Sequence, residues 1–107
     1  MIEVTYHRQY HRLTAQGHAC SGVSGHDLVC ASVSALVLTL ASNVASLVTQ
    51  GSAGKHTVRV QEGDAEISCV PASKMRSVVT LIFDTVCSGF ELLQTLYPEN
   101  IRFRVLG

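Results

Sequence analysis

Charge is what this chain has least of. Charged side chains occupy 15% of 107 positions, where an average protein has roughly 25%. Eight basic and eight acidic residues cancel to a formal charge of zero. That balance removes any general attraction to nucleic acid or to anionic lipid, so neither is an expected partner. The N-terminus has no basic stretch leading through an apolar run to a cleavage site, so secretion is not expected. The four cysteines show no compact disulfide framework. Cys69 and Cys87 stand in apolar surroundings, where a buried reduced thiol is usual, and a reducing cytoplasm is the expected compartment. Repeats, low-complexity tracts and linkers are lacking, and the length suits one domain, residues 1–107. What is abundant is apolar surface, 47% of the residues. With so few charges to cover it, some is expected to be hidden in a partner, most simply a second copy.

The apolar residues fall into clear periods. Ile2, Val4 and Tyr6 alternate with Glu3 and Thr5, as in a half-buried strand. His7, Arg8 and Gln9 read as a polar turn, and Tyr10 to Ala19 as a second, antiparallel strand. Gly17 lies near its end, where a missing side chain lets another backbone or a ligand approach. Cys20 to His26 is a loop, freest at Gly22 and Gly25. A helix follows from Asp27 to about Val48. Asp27 suits an N-cap, and Ser24 with Asp27 three residues on is an alternative capping box. The first choice puts Cys30 in the first turn, where the helix dipole favours a thiolate; the second puts it about a turn deeper. The helix is apolar nearly all round, so a central position or a dimer interface is expected. It is long enough to span a membrane, but Ser32, Ser34, Ser42, Asn43 and Ser46 interrupt it and flanking anchors are missing.

Gln50 to Lys55 reads as a loop. His56 to Val60 and Ala65 to Val70 read as strands around the turn Glu62-Gly63-Asp64, with Pro71 ending the second. A second helix, starting near Ser73 and closed by Pro98, carries Met75, Val79, Ile82, Phe83, Val86, Phe90, Leu93 and Tyr97 on one face, read as core. Ile101, Phe103 and Val105 alternate in a last strand. The order ββαββαβ predicts an α+β fold, with two helices packed on one face of a mostly antiparallel sheet of about five strands.

Chemistry concentrates in Gly17 to Ser34, GHACSGVSGHDLVCASVS, which holds two of the five histidines and two of the four cysteines. A neutral thiol is a poor nucleophile, and a nearby imidazole or a helix start brings its thiolate into use. His18 would take the Cys30 proton and return it to a leaving amine. Asp27 would either cap the helix or orient the imidazole. A second reading groups His18, Cys20, His26 and Cys30 as zinc ligands. The residue types suit tetrahedral zinc, but the spacing H-x-C-x5-H-x3-C departs from paired knuckles. His26 alone reads as a solvated loop histidine. His7, His11 and His56 read as surface strand residues without partners.

The run G-H-A at Gly17 to Ala19, followed by G-H-D-L-V-C-A-S from Gly25 to Ser32, resembles the ribosomal-processing cysteine proteases of the Prp family. Their signature is G-H-A…G-x-D-x-V-C-A, with His and Cys twelve residues apart, as His18 and Cys30 are here. The resemblance implies that Cys30 is the nucleophile, His18 the base and Asp27 a supporting residue, in a homodimer of α+β subunits without a metal or cofactor. It implies a substrate too: the N-terminal extension of large-subunit ribosomal protein number twenty-seven, cut after a phenylalanine in a short apolar motif. The loop Cys20, Ser21, Gly22, Val23, Ser24, Gly25 and His26 would then admit the peptide. Cys20 is a second thiol beside the nucleophile, able to form a disulfide under oxidation. The alternative class is a non-catalytic, ribosome-associated dimeric binding module of the same fold.

Overall fold

The alternation at the N-terminus becomes strand β1 (Ile2–His7), followed by a 3-10 turn (Arg8–Tyr10) and strand β2 (Arg12–Gln16). Helix α1 (His26–Thr49), strands β3 (Ala53–Gln61) and β4 (Asp64–Pro71), helix α2 (Arg76–Leu96) and strand β5 (Ile101–Leu106) complete the chain. The computed structural model describes residues 1–17 and 26–107, and of His26 and Asp27 the backbone. The strands form one sheet in the order β3-β4-β2-β1-β5. Every pairing is antiparallel except β1 with β5, which is parallel. The expected α+β architecture is therefore present, with a mixed, mostly antiparallel sheet.

Period-two patterning separates the two faces of the sheet. Ile2, Val4, Tyr6, Leu13, Ala15, Ala65, Ile67 and Cys69 point to the helices and are buried. The opposite face carries ion pairs: Arg102 with Glu3 (3.7 Å), Arg12 with Glu66 (3.2 Å), and Arg59 with both Asp64 and Glu66. These pairs are partly exposed and contribute at most about 1 kcal/mol each. Their larger effect is to keep that face in water.

Helix α1 buries Val29, Val33, Val37, Leu40, Val44 and Leu47, spaced by three and four. Four of its polar residues are satisfied locally: Ser32, Thr39 and Thr49 hydroxyls and the Asn43 amide donate to carbonyls four residues back, at 2.6–2.9 Å. Both helices are long and apolar enough to cross a membrane. Each instead packs a buried stripe on the sheet. In α2 that stripe is Val79, Phe83, Val86, Phe90 and Leu93, the core face read from the spacing. Phe83 stacks on Tyr6 of β1, and Phe90 on Phe103 of β5. The helices cross where Gly89 faces Leu36; an added Cβ would lie 2.7 Å from the leucine methyl. Truncating a buried phenylalanine of this kind costs about 3–5 kcal/mol.

Several boundaries differ from the sequence reading, each for a backbone reason. Tyr10 and His11 do not extend β2, because His11 takes a left-handed conformation (φ 47°) that closes the 3-10 turn. β3 starts at Ala53, inside the expected loop, and absorbs an irregularity between Gly54 and Thr57 where Lys55 is also left-handed. α2 begins at Arg76 because Lys74 (φ 69°) interrupts any helix from Ser73. α1 begins at His26, so Asp27 stands inside the first turn rather than before it.

His11 is the clearest correction. Expected on the surface, it is 2% exposed. Its Nε2 shares a 2.7 Å hydrogen bond with Thr80 Oγ1, and its ring meets the face of Phe83 edge-on. Its carbonyl accepts from the Cys69 amide, so one residue joins the β2 corner to β4 and α2. Burial, reinforced by the positive charges of Arg76 and Arg8 and opposed by Asp84, holds its pKa below the ordinary imidazole value. The unfolded chain then binds more protons than the folded one just below about pH 6.5, so this contribution to stability is lost as pH falls. Urea unfolding of wild type and His11→Asn between pH 7.5 and pH 5 should show a steeper loss in wild type. Equal slopes would contradict this account.

Candidate active site

Cys30 is the fifth residue of α1, just past its first turn, and is half-buried. It faces a cavity of about 410 Å³ between α1 and the ends of β2, β3 and β4. Apolar side chains form the floor, including Ile2, Val33, Val37, Leu38 and Val60. The β3–β4 turn, Glu62-Gly63 with Asp64, forms the rim. An apolar trench with a few polar groups at its lip suits an extended peptide with apolar side chains.

Gly17 lines the same cavity. It follows β2 directly, with φ 110°, a conformation that L side chains rarely adopt. A Cβ there would run into the Met1 carbonyl oxygen at the start of β1. Its N–H donates to the Gly63 carbonyl at 3.0 Å, which fixes the end of β2 to the tip of the β3–β4 turn. The close backbone approach read from the sequence is thus present.

The other candidate residues fall largely outside the described part of the chain. His18, Cys20, Ser21, Gly22, Val23, Ser24 and Gly25 lie outside the described residues. His26 and Asp27 are placed by backbone only, in the first turn of α1. Of the four residues grouped as zinc ligands, only the Cys30 side chain is described. Among the described residues no cluster of three or more His, Cys, Asp or Glu side chains could hold a metal. The walls contributed by Ile2, Val60 and Glu62 were not singled out from the sequence. The turn Glu62-Gly63-Asp64 was legible, but its reach to Gly17 is a tertiary fact.

Residues 1–102 match the cysteine protease Prp family. The chain belongs to that family. It is accordingly a cysteine protease. Its fold is similar to that of the essential ribosomal processing protease Prp from S. aureus in complex with a substrate peptide. The TM-score is 0.71 and the identity 21%, over 98% of this chain and 97% of that one. The same S. aureus protease with a covalently linked product peptide gives a TM-score of 0.70 at 23% identity, over 98% and 97%. SMU.848 from Streptococcus mutans gives 0.70 at 24% identity, over 99% of this chain and 94% of that one. No curated protein matches.

Family membership directs attention to the thiols. Cys30, Cys69 and Cys87 are free. Cys69 and Cys87 are 1% and 5% exposed, and burial raises both pKa values, that of Cys87 to about 12 with help from Asp84. Both remain protonated and shielded at neutral pH. Iodoacetamide at pH 7 should therefore alkylate Cys30 well before Cys69 and Cys87, as read by peptide mass mapping of the native protein. Comparable labelling of the three would contradict the assignment of a single accessible thiol among them.

Proposed function

We propose that this chain is an endopeptidase that removes the N-terminal extension of a large-subunit ribosomal protein, number twenty-seven, with Cys30 as nucleophile and His18 as base. The observation that carries the reading is the convergence of Gly17 and Cys30 on one cavity. His18 is the next residue after Gly17 in the sequence, which supports assigning it as the base. The G-H-A and G-H-D-L-V-C-A-S runs support the same pairing. The S. aureus ribosomal processing protease, seen with a substrate peptide and with a covalently linked product peptide, supports peptide processing by this fold.

In this reading the substrate lies along the apolar trench with its scissile carbonyl over the start of α1. The Cys30 thiol gives its proton to His18, and the sulfur attacks the carbonyl carbon, forming a C–S bond. Backbone amides at the start of α1 stabilise the oxyanion. The C–N bond then breaks, and His18 returns the proton to the departing amine. Water, deprotonated by His18, hydrolyses the thioester and restores the thiol. Asp27, three residues before Cys30, supports the pair, and the loop Cys20 to His26 is assigned the role of admitting the peptide.

We also propose a cytoplasmic homodimer. From Leu28 to Thr49 α1 has no charged residue, yet Leu28 and Leu38 are 56% and 55% exposed. α2 adds exposed Leu81, Leu92 and Leu96. An outer helical surface this poor in charge is suited to cover by another subunit. Cys30→Ala should abolish cleavage of a peptide bearing the extension motif while the protein sediments as the same dimer as wild type. Undiminished cleavage by the variant would overturn the assignment of the nucleophile, and no cleavage by wild type would favour a binding module.

A further inference from the structure

A second cavity, of about 630 Å³, opens at the other end of the sheet, lined by Arg8, Lys74, Arg76, Ser77, Thr80 and Asp84 among others. It shares no lining residue with the cavity beside Cys30. Ile2 lines the first and Arg8 the second, a separation of roughly 20 Å along β1 at about 3.3 Å per residue.

Three of the chain's eight basic residues meet here, from two segments far apart in sequence. Arg8 comes from the 3-10 turn, and Lys74 and Arg76 from the turn leading into α2. Asp84 is the one acid in the lining, and Arg8 already holds it through two bonds of 3.0 and 3.3 Å. Lys74 and Arg76 have no carboxylate partner among the described residues. Their placement reverses the usual pattern, in which acids stand at the positive end of a helix. α2 has no acid in its first turn and no side-chain cap. Lys74 is also kept in a left-handed conformation, which costs a non-glycine residue free energy.

Next to the cavity, though not in its lining, stand the buried polar side chains His11 and Tyr6. Thr80 Oγ1 is bonded to the buried His11 ring. The Tyr6 hydroxyl, on a residue 1% exposed, has no hydrogen-bond partner among the described residues, and the charges of Arg8 and Asp84 both act on it. Positive charge exceeds negative by two around this open space, with the Ser77 and Thr80 hydroxyls in its wall. That is the chemistry that receives a tetrahedral phosphate anion, and a helix start adds amide donors of the right polarity.

We propose that this cavity is a phosphate-binding site. Lys74 and Arg76 supply the unpaired charge, Ser77 donates from the first turn of α2, and Asp84 holds Arg8 in place at the edge. The phosphate group is either that of a small phosphorylated molecule or that of an RNA backbone. The site is independent of the peptidase chemistry at Cys30.

Calorimetric titration of the full chain with inorganic phosphate, and separately with a short single-stranded RNA lacking terminal phosphates, tests the proposal. Wild type should bind phosphate with a millimolar or lower Kd. The double variant Lys74→Ala/Arg76→Ala should bind at least about ten-fold more weakly, with an unchanged melting temperature, while Lys55→Ala, on β3, should match wild type. If RNA is the natural source, it binds more tightly than phosphate, and the slope of log K against log salt falls by about 1.4 in the double variant. Binding of phosphate alone identifies a small-molecule source. Absence of binding to wild type by both probes would overturn the proposal, as would equal affinities of wild type and the double variant, or an equal loss in Lys55→Ala.

Discussion

The position of Gly17 is the constraint on which the functional geometry depends. Its left-handed backbone is seated against the Met1 carbonyl where no side chain fits, and its N–H is held by Gly63. Strand β2 must therefore end there, pointed at the cavity that α1 closes from the other side. Nothing in that geometry is chemical in itself. Gly17 lines that cavity, and the next residue in the sequence is a histidine. A glycine is needed because the alternative, a Cβ in that space, would push β1 and β2 apart at the end where both contribute to the cavity wall.

Charge is partitioned among three surfaces. The outer face of the sheet carries paired arginines and carboxylates, and α1 carries no charge from Leu28 to Thr49. Lys74 and Arg76, with Arg8, gather at the far corner around the start of α2. A formal net charge of zero averages these three environments and hides all of them. The sum excludes general attraction to polyanions but is silent about a local excess of two positive charges.

Much of the architecture was legible in the sequence because each element announced itself by period. Ile2, Val4 and Tyr6 specified a strand, Val79 to Leu93 a buried helical face, and Pro71 and Pro98 sharp ends. The errors came from backbone conformations that carry no compositional mark. His11, Lys55 and Lys74 all adopt left-handed angles that are usually the province of glycine or asparagine. The burial of His11 was invisible for a related reason: its partner Thr80 lies far along the chain, on α2. At the candidate site the Cys30 position and the role of Gly17 could be read locally. The contribution of Ile2, Val60 and the Glu62-Gly63-Asp64 turn could not, since it depends on the sheet order β3-β4-β2-β1.

The central claim is that one imidazole and one sulfur share the cavity between β2 and α1. A crystal structure of this protein with a substrate-like peptide in the trench measures it directly, through the distance from Cys30 Sγ to the nearer His18 ring nitrogen. The account predicts hydrogen-bond reach, about 3–4 Å for a thiol and an imidazole. A His18 ring turned away on the other side of the peptide, with Cys30 beside no base, would contradict it.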